Sequence, residues 1–121
     1  MDNCCLPSRP IAHALPFDKL AELFDGHPAR FKRVVKEFCI STLHDLAAMD
    51  HAAALGMWSQ VRTLAGRISN GCHCVHAASM ADVFVTLSTS RDDGETRKVY
   101  LHLYSATRRT LVTTVMGQIL D

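Results

Sequence analysis

The chain has 121 residues, of which 48% are apolar, so it fits a single domain with its own core. Thirteen basic residues against twelve acidic ones give a formal charge of +1, which argues against nucleic acid as a partner, because neutralising a phosphate backbone takes a basic stripe. No run reaches the roughly 18 apolar residues of a membrane span and the N-terminus lacks a secretory signal, so we expect a cytoplasmic protein without a membrane span.

The first residues differ from the rest in their proline content. All four prolines lie within the first 28 residues, at Pro7, Pro10, Pro16 and Pro28. Proline removes a backbone donor and restricts the residue before it, so residues 1–15 are expected to form an irregular tail and residues 16–121 a helical domain. The cysteines are odd in number, which favours reduced thiols over a disulfide framework. They are Cys4, Cys5, Cys39, Cys72 and Cys74.

Two helices are predicted in the first half of the domain. A short one runs from Phe17 to Phe24 and is closed by Asp25 and Gly26, after which Pro28 suits the first turn of the next. The second helix is long, because apolar residues recur at three- and four-residue steps on one face, and Gly56 marks its end or a turn. That face carries Phe31, Val34, Val35, Phe38, Thr42, Leu46 and Met49.

The second half of the domain shows three further helical patterns. The third helix carries a stripe of Trp58, Val61, Leu64, Ala65, Ile68, Cys72 and Val75, and the fourth carries Met80, Val83, Phe84 and Leu87. Residues 91–94 read as a polar turn. Tyr100, Tyr104, Leu111, Val115 and Ile119 then predict a last helix, although a strand over residues 99–104 remains an alternative, because threonine and valine disfavour helices.

Amphipathic helices joined by short connections must cover one another's apolar stripes. The predicted fold class is therefore all-α, an antiparallel four-helix bundle with a short additional N-terminal helix. Fold alone does not specify function.

The third helix resembles a known family. The run Gly56 to Cys72 is similar to the central helix of histidine-containing phosphotransfer (HPt) domains, in which a phosphorylated histidine follows a tryptophan by eight residues. The flanking segments are similar too, with residues 23–28 preceding the long second helix and Met80, Val83 and Leu87 at the family's spacing downstream. The resemblance covers about residues 17 to 120 and is closest to the HPt modules of bacterial hybrid sensor kinases.

Three positions depart from the family pattern. Gly66 stands where the resemblance places the phospho-accepting histidine, Ser69 where it places a lysine, and Asn70 where it places a small glycine. Glycine has no side chain to act as a nucleophile, and serine cannot supply the positive charge of lysine. The resemblance thus implies a pseudo-HPt domain: not an enzyme, without catalytic residues or cofactors, that binds a response-regulator receiver domain or a hybrid histidine kinase.

Helical geometry predicts the side of the third helix on which Gly66 lies. At about 100° per residue, Gly66 lies about 140° from the apolar stripe, which is the solvent side. The predicted docking face consists of Ser59, Arg62, Thr63, Gly66, Arg67, Ser69, Asn70 and His73.

Two alternatives concern the end of the third helix. His73 lies two turns beyond Gly66 on the same face, so an active phosphotransfer protein using His73 is one alternative to the binding module. A zinc-linked structural module is the other, with Cys72, Cys74 and His76 as ligands. Convergence of those three side chains would require the helix to end near Asn70 and Gly71, and the preferred interpretation includes no metal.

Overall fold

The computed structural model describes residues 17–120, and over that range the chain is all-α. The helices are α1 Asp18–Leu23, α2 Pro28–Ala54, α3 Trp58–Cys74, α4 Ala78–Ser88, α5 Asp93–Val99, a π-helical segment Tyr100–Tyr104, and α6 Ser105–Leu120. None of these helices has the length and apolar character needed to cross a bilayer. The tail predicted for residues 1–15 lies outside the described residues.

The first turns lie where the sequence predicts them. Gly26 and Gly56 both adopt positive φ, +84° and +71°, and a glycine reaches that conformation without the steric cost of a side chain. Pro28 occupies the first turn of α2, where its missing N–H costs no hydrogen bond. The boundaries on both sides of α2 are thereby confirmed.

The C-terminal part departs from the prediction at residues 91–94. The side chain of Asp92 accepts a hydrogen bond of 2.8 Å from the backbone N–H of Glu95, so this polar run caps and begins α5 instead of forming a separate turn. The strand alternative over residues 99–104 is wrong, because Val99 ends α5 and Tyr100–Tyr104 is the π segment. Val99 and Ser105 on either side have helical dihedral angles, so α5, the π segment and α6 form one uninterrupted C-terminal helix.

The helices pack in a defined order. α2 packs against α3 and α6, and α3 packs against α4 and α5, while α4 also contacts α5 and the π segment. The predicted stripes supply the core, whose buried members include Val35, Leu46, Met49, Val61, Ala65, Ile68, Phe84, Leu87, Tyr104 and Val115. Cys39 and Cys72 are buried among them, and burial raises the pKa of the two thiols to about 11 and about 12.

A polar cluster joins α2 to the C-terminal helix. One carboxylate oxygen of Asp50 accepts hydrogen bonds from the hydroxyls of Tyr100 at 2.5 Å and Tyr104 at 3.4 Å. The other accepts from Nε and a terminal nitrogen of Arg108, at 2.9 and 2.6 Å. The Trp58 ring packs edge-on against Tyr100. Burial raises the pKa of Tyr100, and the hydrogen bond to Asp50 and the negative charge of Asp50 raise it further. The neutral phenol of Tyr100 is therefore favoured.

Candidate docking site on the third helix

The outer side of α3 presents a polar strip. Of the eight residues predicted to form the docking face, Ser59, Thr63, Arg67, Asn70 and His73 are exposed. The opposite side of the helix is buried through Val61, Ala65 and Ile68, which fixes the orientation of α3. The exposed strip follows from that orientation, since side chains half a turn away from a buried stripe must face outward.

Arg62 lies at one edge of this strip and turns toward α5. Its guanidinium donates to a carboxylate oxygen of Asp93 at 2.9 Å and to the hydroxyl of Thr96 at 2.8 Å. Thr96 is fully buried and its hydroxyl also donates to the backbone carbonyl of Asp92. Arg62 is therefore half-buried, and its charge is engaged within the domain.

Arg67 lies at the other edge and turns toward α2. A terminal guanidinium nitrogen lies 3.1 Å from a carboxylate oxygen of Asp45, whose side chain is only 10% exposed. The Arg67 side chain itself is 64% exposed, so solvent weakens the ion pair, and its main effect is on the position of Arg67. The two arginines of the predicted face thus diverge to opposite sides of α3.

Gly66 and Ser69 lie closer to the interior than the prediction placed them. A Cβ built at Gly66 would lie 3.8 Å from the Cβ of Ser88, so Gly66 is half-buried at the seam between α3 and α4. Ser69 is buried, and its hydroxyl donates to the Gly66 carbonyl at 3.0 Å. Ser69 therefore does not lie on the exposed strip with the other predicted residues, because three residues of helix rotate it from Gly66 toward the side that α4 covers.

The strip that remains we call the α3 face, and it consists of Ser59, Thr63, Gly66, Asn70 and His73. The seam position of Gly66 extends this surface onto α4. Ser88 is half-buried beside Gly66, and Val85, one turn earlier on α4, is 37% exposed. Sequence reasoning missed both residues. A signal was present, since Val85 is an apolar residue that does not belong to the buried stripe of α4.

The end of α3 bears on the two alternatives. α3 continues without a break through residues 70 and 71 to Cys74. Cys72 is buried in the core while Cys74 and His76 are exposed, so the three zinc ligands considered from the sequence do not converge. Within residues 17–120 no group of three or more His, Cys, Asp or Glu side chains is placed to hold a metal ion. His73 is exposed in the last turn of α3.

A second surface feature lies on the far side of α4. An apolar groove of about 530 Å³ separates α4 from the C-terminal helix, and we call it the α4/α6 groove. Met80, Val83 and Thr86 line it from α4, and Leu103, Thr107 and Leu111 line it from the C-terminal helix. The sequence did not predict this groove, because its lining residues Met80, Val83 and Leu111 belong to stripes that were expected to be covered.

The chain matches no protein-family model, no curated protein and no solved structure.

Proposed function

We propose that this chain is a non-catalytic HPt-like signalling module that binds a receiver domain or a histidine kinase domain of a two-component phosphorelay without transferring phosphoryl groups. Docking takes place on the α3 face, with Val85 of α4 as an apolar contact at its edge. The observation that carries the proposal is Gly66, half-buried on α3 and eight residues beyond Trp58, with exposed Thr63 and Asn70 beside it.

The helix order supports this proposal. A short α1, a long α2 that begins at Pro28, and an α3 that begins at Trp58 follow one another as the HPt resemblance requires. Within the proposal, α2, α3, α4 and the C-terminal helix correspond to an antiparallel four-helix bundle, with α3 packed between α2 and α4. This arrangement leaves the outer strip of α3 free for a partner.

The chemistry of the face argues for binding over catalysis. Phosphoryl transfer through a histidine needs an imidazole nitrogen as nucleophile, and Gly66 has no side chain. The neighbouring position that the family fills with lysine is Ser69, a buried hydroxyl that donates to the Gly66 carbonyl. Both guanidinium groups near the face are engaged, with Asp93 and Asp45. A polar, nearly uncharged strip therefore remains, which suits recognition of a protein surface.

The first test is a binding measurement with charge changes on the α3 face. Thr63→Glu combined with Asn70→Glu should reduce the affinity for a cognate receiver or kinase domain by at least about tenfold, since like-charge or desolvated carboxylates in an interface cost a few kcal/mol. Thr113→Glu, an exposed threonine on α6, is the matched control and should leave the affinity unchanged. Calorimetry against the receiver and kinase domains of the same genome measures both. Failure of the wild-type chain to bind any of them refutes the proposal.

The second test restores the missing nucleophile. The nearest neighbour of a Cβ at Gly66 lies at van der Waals distance, so a Cβ is tolerated there. Gly66→His should accept the phosphoryl group from a phosphorylated receiver, while the wild-type chain should not. Phosphate on the wild-type chain that disappears in His73→Gln would instead establish the alternative, phosphotransfer through the exposed His73.

A further inference from the structure

We infer that a pocket between α2 and α6 binds the phosphate group of an organic phosphate ester. The inference does not rest on the proposed function, because the pocket lies on two helices that do not carry the α3 face. We call it the α2/α6 pocket. It is lined from α2 by Ala29, Phe31, Lys32, Arg33, Val35 and Lys36, and from α6 by Gln118.

The lining of this pocket is positively charged. Lys32, Arg33 and Lys36 contribute three exposed basic side chains, and no acidic side chain among residues 17–120 lines the pocket. Within the same range none of the three forms an ion pair, and Arg33 is not paired even with Glu37, four residues later on α2. The charge of the pocket thus has no counter-ion in the described part of the chain, which favours an anionic ligand.

The stability of α2 does not account for these charges. Residues 28–36 contain four basic residues and no acidic one, so the rest of a chain with a formal charge of +1 carries −3. Lys32 and Lys36 are four residues apart, and like charges at that spacing destabilise a helix. Positive charge in the first turns also opposes the helix dipole. A local arrangement that costs stability without a compensating contact is typical of a functional site.

The size and the floor of the pocket fit a small organic molecule. Its volume is about 510 Å³, within the range of roughly 300–1,000 Å³ that is usual for ligand sites. Phe31 is half-buried and Val35 is buried, so the two form an apolar floor beside the exposed cations. Gln118 is half-buried on α6, and its amide can donate or accept a hydrogen bond. An inorganic anion would use only the charged part of this lining, whereas the organic group of an ester also covers the floor.

Phosphate is the anion that the three cations match. The guanidinium of Arg33 offers parallel N–H donors that pair with two phosphate oxygens, and the two lysines add point charges. Residues three and four apart on a helix have Cβ atoms about 5–6 Å apart, so Lys32 and Arg33 can each share one anion with Lys36. A phosphate monoester carries a charge of about −1.5 to −2 at neutral pH and therefore neutralises more of the pocket than a carboxylate does.

Titration of the full chain with phenyl phosphate tests the inference. Backbone amide signals of the residues that line the pocket should shift in a saturable manner. Lys32→Gln with Lys36→Gln should weaken the affinity by at least about tenfold, because two charge-assisted contacts to the phosphate are lost. Arg97→Gln with Lys98→Gln, at exposed positions on α5, removes the same net charge and should leave the affinity unchanged. Equal losses in the two double variants would overturn the inference, since they would indicate attraction by net charge alone.

A substitution in the lining tests the organic part of the ligand. Ala29→Leu keeps every charge and places a larger apolar side chain in the pocket. It should weaken the binding of phenyl phosphate and leave the weaker binding of inorganic phosphate unchanged. Equal weakening of both would contradict the assignment of an organic ester.

Vesicles distinguish a soluble ester from a phospholipid headgroup, which presents the same phosphate chemistry. Sedimentation of the chain with phosphatidylcholine vesicles that contain phosphatidic acid, lost in the Lys32→Gln, Lys36→Gln variant, would identify the ester as a lipid. Binding of phenyl phosphate without sedimentation would identify a soluble ester. A chain that binds neither phenyl phosphate nor these vesicles would refute the site.

Discussion

The two sides of the C-terminal helix are built in different ways. The side toward α2 is held by the Asp50 carboxylate, which binds two tyrosine hydroxyls and the Arg108 guanidinium. The side toward α4 has the groove, lined by Leu103, Leu111 and threonines. One helix therefore combines a directional polar attachment with an open apolar surface. The polar attachment to α2 therefore adds to the packing of α4 on the π segment, where Phe84 contacts Tyr104.

Within the π segment, adjacent residues belong to the two different sides of the C-terminal helix. Tyr104 is fully buried, where it packs against Phe84, while its neighbour Leu103 is 43% exposed. Leu101, also in the segment, is 45% exposed. A π turn is wider than an α turn, and such turns often occur at functional positions in helices. Here the segment places the tyrosines toward Asp50 and the leucines toward solvent.

The strongest test of this contrast compares those adjacent positions. Tyr104→Ala should lower the free energy of unfolding by about 3–5 kcal/mol, because it leaves a cavity in the core and removes a hydroxyl from Asp50. Leu103→Ala, the matched change on the groove side, should cost less than about 1 kcal/mol. Urea denaturation measures both variants. Equal losses would mean that the groove side contributes to stability as much as the α2 side.

A smaller effect is expected from the carboxylate itself. Asp50→Asn keeps the shape of the side chain but removes the charge that Tyr100 and Arg108 share, and should cost about 1–2 kcal/mol. Asp82→Asn at the groove is the control and should change stability by less than about 0.5 kcal/mol. Thermal unfolding of the two variants gives the comparison. If Asp50→Asn leaves the stability unchanged, packing alone holds the C-terminal helix to α2.

The smallest expected effect is on the pH dependence of the free energy of unfolding. Burial and Asp50 raise the pKa of Tyr100 above its ordinary value near 10, so the folded chain keeps a phenol proton that the unfolded chain releases. The stabilising contribution is present below pH 10 and is lost as the pH rises further. Tyr100→Phe should reduce the slope of this alkaline loss, whereas Leu103→Ala should leave the slope unchanged. Urea titrations between pH 8 and pH 11 measure it, and an unchanged slope in Tyr100→Phe would contradict the assignment.

The sequence predicted those elements whose signal is local. Periodic apolar residues located α2, α3 and α4, and the glycines at positions 26 and 56 located the turns. The start of the C-terminal helix was missed, because residues 91–94 have the composition of a turn and only the Asp92 cap reveals a helix start. The π segment was missed as well, because apolar residues that recur with the 3.6-residue helical period do not reveal a single widened turn.

The candidate site was less accessible to sequence reasoning. Helical geometry placed Ser59, Thr63 and Asn70 correctly on an exposed strip. It could not place Ser69, because whether a residue at the margin of a stripe is covered depends on where α4 packs. The opposite directions of Arg62 and Arg67 also depend on partners 31 and 22 residues away in the chain. Such pairings are tertiary information.

The two diverging arginines have a mechanical consequence for α3. Arg62 ties one edge of the helix to α5 and Arg67 ties the other edge to α2, so rotation of α3 about its own axis would stretch one of the two pairs. These two pairs add to the buried stripe of Val61, Ala65 and Ile68, which fixes the orientation of α3. In the proposed complex, the orientation of α3 is thus set before a partner binds.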